Sequence, residues 1–288
     1  MTYLDTLRAE LTAAAIPARR RARILAEVSE HLHENPRAEL GAPRDLARQF
    51  ADELGTRLAR TVALRAFAAL SLAGLVLAVM FLGDGARGQF SFAAANRAST
   101  PSWAVPVLLI VMFSAQVSLA SGSLALLRAL RLRDLRVISQ AEATVLARRT
   151  GVALLAGAVT MTGVPVVALA FPHAGGSLWH TLAWILTAVA LTALVSVLPG
   201  LVRSFRLRPL ERGEAGDLSD DLAGLMPPSW TPLRVALLLC GVIVVVVALA
   251  GLRAGDPYDG LARGLSDAAA CMAGFIVLGR YLGMRAPG

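Results

Sequence analysis

Glu27, His31 and Glu34 stand four and three residues apart, so a helix would stack two carboxylates and an imidazole on one face. These are metal-ligand types. The HExxH spacing that builds a one-helix zinc site is absent, however, and no cysteine lies nearby, so no metal is expected. Imidazole is the side chain best suited to respond to pH near neutrality, which leaves pH sensing as a second chemistry for His31. Arg19, Arg20, Arg21 and Arg23 open the same segment and would attract an acidic protein face or anionic lipid. With Glu27, Glu30 and His31 they form the expected partner-binding surface. Two other residues stand out inside apolar stretches. Asp267, with Arg263 one turn before it, is costly to bury as an ion and is expected to pair or to face a cavity. Gln116 lies among Ser114, Ser118 and Ser121, a polar side suited to helix packing.

No Walker motif, GxSxG, GxGxxG or kinase signature occurs, so the residues point away from an enzyme and imply no cofactor. The two cysteines, Cys240 and Cys271, make neither a disulfide framework nor a metal set and read as small core residues.

The elements that carry these residues fall into two parts. Mean hydropathy is +0.62 and 56% of residues are hydrophobic, too apolar for a soluble domain of 288 residues. Crossing a bilayer takes about 20 apolar residues. Six spans are expected, at 62–82, 103–126, 151–171, 178–201, 234–252 and 262–282. They form a transmembrane domain over 61–288 behind a helical head over 1–60. The fold class is all-α. No cleavable signal is expected, because the first apolar run starts behind a charged helical region.

All 28 basic residues are arginine. With the N-terminus inside, only Arg87, Arg97, Arg253 and Arg263 fall in outer loops, a strong positive-inside bias that places both termini in the cytosol. Residues 1–60 hold ten arginines and nine acidic residues. The head is therefore nearly neutral, and direct nucleic-acid binding is not expected despite the pI near 11. The basic surplus sits beside the bilayer, where anionic lipid attracts it. The loop over 127–150 interleaves leucines with arginines and is expected to lie along the headgroups or simply to hold the loop inside. The loop over 203–232 turns from basic to acidic and ends in a Pro-rich stretch with Trp230, a linker pattern. Pro106, Pro165 and Pro199 are expected to kink three spans.

Within the head, periodicity predicts three short amphipathic helices. The first carries Tyr3, Leu4, Leu7 and Leu11. The second, opened by Pro17, carries Ile24, Leu25, Val28 and Leu32. The third, after Gly41-Ala42-Pro43, carries Leu46, Ala47, Phe50 and Leu54. The strings ILAEVSEHLHE and GAPRDLARQFADELG, with Tyr3-Leu4 near the start, resemble the HAAS domain. This α-helical module is associated with helix-turn-helix regulators, and is also termed a permease prefix domain when membrane segments follow. The second helix opens here on Arg19–Arg23, where that family carries acidic residues. The resemblance implies a bacterial inner-membrane signalling protein whose head engages a PadR-like winged-helix transcriptional regulator. The alternative is a permease subunit of an ATP-binding-cassette type transporter, with a separate ATPase as partner. The lipid bilayer is a partner in either case, and a homo-oligomer is compatible with both.

Overall fold

In the computed structural model the chain is all-helical, and the described residues contain no strand. The structure describes residues 2–35, 40–82, 101–170, 177–207, 209, 213–216, 220–221, 232–253 and 257–279. Trp230 and most of the Pro-rich end of the 203–232 loop lie outside them.

Helix α1 (Tyr3–Ala13) starts on a capping box: Asp5 N–H donates to Thr2 Oγ1 at 3.3 Å, and Thr2 N–H donates to Asp5 Oδ2 at 3.1 Å. The chain leaves α1 through Ala15 at φ +56°, a left-handed turn usually given to glycine. Ile16 N–H then closes back onto Leu11 O at 3.2 Å. Pro17 stands at the N-cap of α2 (Ala18–Glu34), one residue earlier than a first-turn proline. Leu7, Leu11, Ile16 and Val28 bury together with Ala47 and Ala51 of the next helix, and Tyr3, Leu4, Ile24, Leu25, Leu32, Leu46, Phe50 and Leu54 pack around them. The three apolar stripes of the head thus find one another.

Helix α3 runs unbroken from Pro43 to Leu82. At 1.5 Å per residue it is about 60 Å long. It belongs to three cores in succession. Ala47 and Ala51 serve the head. Ala59 and Ala63 pack with Ala125, Ala129, Leu132, Ile138, Ala143 and Leu146. Val62, Ala66, Ala69, Ala73 and Val76 pack with residues such as Leu154, Met161, Leu194 and Leu201. The alanines are spaced three and four apart, so one narrow stripe lets neighbouring helices approach closely.

The partners are α4 (Ala104–Arg131), α5 (Gln140–Ala170) and α6 (Ser177–Arg206). A 3-10 turn, Leu132–Asp134, follows α4. The helices α7 (Pro232–Arg253) and α8 (Pro257–Gly279) pair with each other, and α8 leans on α4. Pro165 and Pro199 lie within helices, whereas Pro106 falls in the first turn of α4, where its missing N–H breaks no helical hydrogen bond.

Among the described residues four helices are long and apolar enough to cross a membrane: Pro43–Leu77, Val105–Asp134, Gln140–Val166 and Trp184–Arg206. Their outer faces are paved with large apolar side chains such as Leu119, Leu155 and Val195, each more than half exposed. Such a surface suits lipid rather than water. Helices α7 and α8 cover 234–252 and 262–279 of the two further expected spans, with 280–282 outside the described residues, and neither is among those four.

Candidate functional site

The described residues concentrate their long-range polar contacts where the head meets the bundle. Gly55 lies at the centre. A Cβ on it would stand 2.5 Å from Leu207 O and 3.2 Å from Pro209, so the absent side chain lets the end of α6 lie directly on α3. At the next residue, the hydroxyl of Thr56, fully buried, accepts from Ile138 N–H at 3.1 Å. Arg60 donates to Arg133 O at 2.9 Å and to Leu135 O. Glu53 pairs with Arg136 at 2.8 Å. Two loops, the turn over 132–139 and the segment after α6, therefore grip α3 over two turns at the junction read from sequence near residue 60. The turn's carbonyls would otherwise be unsatisfied backbone acceptors, and Arg60 supplies donors to two of them.

The same two loops meet each other in a buried ion cluster. Arg128, near the end of α4, and Arg149, nine residues into α5, are both fully buried. Asp221, whose side chain is also fully buried, accepts from Arg149 Nη1 at 2.6 Å and from Arg128 Nε at 3.1 Å, and lies 3.3 Å from Arg131. Glu142 lies 2.6 Å from Arg131 and 3.2 Å from Arg128. Three guanidinium groups thus surround two carboxylates, and Asp220, more than half exposed, stands 3.9 Å from Arg131 at the edge. Arg149 Nη1 also caps Leu124 O at 3.2 Å. The backbone completes the set: Gly216 N–H donates to Glu142 Oε1 at 2.8 Å, and Arg128 Nη2 donates to Gly216 O. A Cβ at Gly216 would stand 2.6 Å from the Arg131 guanidinium and 2.8 Å from the Asp220 carboxylate, so both ends would have to shift to admit one. Ser139 Oγ donates to Glu214 O at 3.4 Å, a second tie between the loops.

Sequence reasoning placed Arg128, Arg131 and Arg149 as topology markers and missed Glu142 and Asp221 as their partners. The signal was present but thin: two acids, Asp134 and Glu142, on the basic 127–150 loop and an acidic run in the 203–232 loop. The 127–150 loop also differs from a headgroup-lying helix. Leu132, Ile138 and Leu146 point into the core with Ala59 and Ala63, because α3 passes beside the turn and offers a drier surface. The described part of the 203–232 loop, read as a linker, docks through Gly216 and Asp221.

The sequence-predicted surface on α2 stays outside this constellation. Arg19, Arg20, Arg23, Glu27, Glu30 and His31 are exposed. Arg23 pairs with Glu27 at 3.0 Å across one turn. Arg21 is half-buried and donates to Thr12 Oγ1 at 2.5 Å, tying α2 to α1. In the bundle, Ser114 Oγ and Thr160 Oγ1 share a hydrogen bond at 2.9 Å, and Ser118 Oγ donates to Ala153 O at 3.0 Å. Ser114, Ser118 and Ser121 form a buried seam on α4, whereas Gln116 is half-buried on another side of that helix. Asp267 is half-buried on α8, one turn from Arg263, whose charge acts on it. Cys240 is buried, and its thiol faces Ala268 O at 3.5 Å. Among the described residues no three of His, Cys, Asp and Glu gather as a metal-holding group.

The junction can hold and transmit position. Its buried charges have each other as partners, and no nucleophile–base pair lies among them. Compared with family models, with curated proteins and with solved structures, the chain matches none.

Proposed function

We propose that the protein is a bacterial inner-membrane signalling protein with six spans and both termini in the cytosol. Its head engages a cytosolic partner, and the resemblance to HAAS modules points to a PadR-like winged-helix regulator. The observation that carries the reading is the continuity of α3. One helix, without a proline after Pro43, supplies both the head core and the bundle core. Displacement of the first span therefore displaces the head, and the exposed polar face of α2 travels with it. Interaction rather than catalysis is the chemistry that such a face supports.

Affinity purification of the full chain from gently solubilised membranes, after cross-linking, tests the proposal. A winged-helix protein in the eluate, lost from an Arg19→Glu/Arg20→Glu/Glu30→Arg variant that still folds, is the expected result. An ATPase in its place, with ATP hydrolysis stimulated by a transported substrate, overturns it in favour of a transporter permease subunit.

A further inference from the structure

Helix α6 has two distinct faces. Leu194, Val197, Leu201 and Ser204 are buried against the bundle. On the opposite side Val195, Leu198, Pro199 and Val202 line an open groove of about 460 Å³, and Arg203 and Arg206 close its head-side end. All six lining residues belong to α6, so the groove is open along the side away from that helix. Val195, Leu198 and Val202 are each more than 40% exposed, as are few apolar side chains in contact with water. Arg203 and Arg206 are exposed, and neither guanidinium has an acidic partner among the described residues. This separates them from Arg128, Arg131 and Arg149, whose charges are met by Glu142 and Asp221.

We propose that this groove binds one anionic phospholipid, with an acyl chain along Val195, Leu198 and Val202 and its phosphate between Arg203 and Arg206. Dimensions and charge both select this occupant. From Val195 to Arg206 the helix rises about 16 Å, close to the half-thickness of a bilayer's hydrocarbon core, about 15 Å. An acyl chain of one leaflet therefore fills the apolar part while its headgroup reaches the arginines. Arginine forks match phosphate oxygens in pairs. A zwitterionic headgroup brings its own ammonium into the same space and cancels part of the attraction, whereas a phosphatidylglycerol does not. The site is independent of which partner the head takes. It lies one turn from Leu207, the residue that rests on Gly55.

The test uses the full chain, stripped of lipid in detergent and titrated with phosphatidylglycerol, phosphatidylcholine or inorganic phosphate, with bound lipid counted by native mass spectrometry. Phosphatidylglycerol is expected to bind in preference to phosphatidylcholine and to resist displacement by millimolar inorganic phosphate. Arg203→Gln/Arg206→Gln is expected to weaken it about thirtyfold, from roughly equal contributions of the two charges. Arg203→Lys/Arg206→Lys retains most of the binding. Arg65→Gln, which removes an exposed arginine from α3, changes it little. Equal losses in Arg65→Gln and the double variant overturn the proposal. So do equal binding of the two lipids and displacement by inorganic phosphate alone, which would mark a free-anion site.

Discussion

Replacing Asp221 by asparagine removes one charge from a place where water cannot replace it. The carboxylate is fully buried and meets three guanidinium groups at 2.6, 3.1 and 3.3 Å. Each such pair is worth about 4 kcal/mol in gross Coulomb energy at an effective dielectric of 20. Most of that sum offsets the desolvation of the ions, so the intact cluster adds little net stability. Breaking it is another matter. The asparagine keeps the shape but takes away the one carboxylate that meets Arg128, Arg131 and Arg149 together, and uncompensated buried charge costs about 3–5 kcal/mol. For a chain of this size that is a fall in Tm of roughly 6–20 °C. Thermal unfolding of the full-length protein in detergent, followed by tryptophan fluorescence, reads the shift. Two companions set the scale. Glu142→Gln touches two arginines from a slightly exposed position and is expected to cost less. Asp220→Asn, 57% exposed and 3.9 Å from Arg131, should cost under about 1 kcal/mol. Equal effects of Asp221→Asn and Asp220→Asn would refute the reasoning, because burial is what separates them.

Gly55→Ala gains about 1 kcal/mol of helix propensity but drives a methyl into Leu207 O at 2.5 Å. We expect a net loss of about 1–2 kcal/mol and faster hydrogen exchange over 132–139 and 207–209. Ala15→Gly relieves a left-handed alanine and should slow exchange across α1 and α2 by an amount equivalent to about 1 kcal/mol. Hydrogen bonds from the Thr2 hydroxyl and N–H hold the Asp5 carboxyl below its ordinary value. The unfolded pKa is thus the higher one, so this contribution is complete above about pH 4 and is lost as pH falls through the folded value. Exchange in the first turn of α1 should accelerate below that pH in the wild type and show no such step in Asp5→Asn.

The helices were legible because their apolar residues are periodic and their ends are marked. Pro17 and Gly41-Ala42-Pro43 each stand at a boundary between head helices. The continuity of α3 was partly written in the sequence, since no proline and only Gly55 separates Leu54 from Val62, yet the change in hydropathy there reads as a border. Hydropathy reports solvent, and one helix can pass from water into lipid without a break in its backbone. The ion cluster was illegible for a different reason. Arg149 and Asp221 are 72 residues apart, and no local pattern pairs them. Arginines at the ends of spans have a sufficient explanation in topology, so nothing in their spacing asks for a partner. On α2, spacing alone stacked Glu27 with His31, whereas Arg23 reaches Glu27 first.

The joint gains its meaning from where it lies along α3. About 18 Å of helix separates Pro43 from Gly55 at 1.5 Å per residue, so the head sits on a short arm beyond the grip of the two loops. A 10° change in the tilt of α3 about Gly55 carries the start of that arm about 3 Å, enough to break hydrogen bonds of the length made by Thr56 and Arg60. The turn over 132–139 must then either move with α3 or release it. That turn is itself fastened, through Arg131 and Glu142, to Gly216 and Asp221. Gly216 and Asp221 are far along the chain from the head, yet they fix the turn that holds the arm. A charge removed at Asp221 should therefore alter the protease sensitivity of the head, some distance from the nearest residue it contacts. A charge removed at Arg65, on the same helix but exposed, should not.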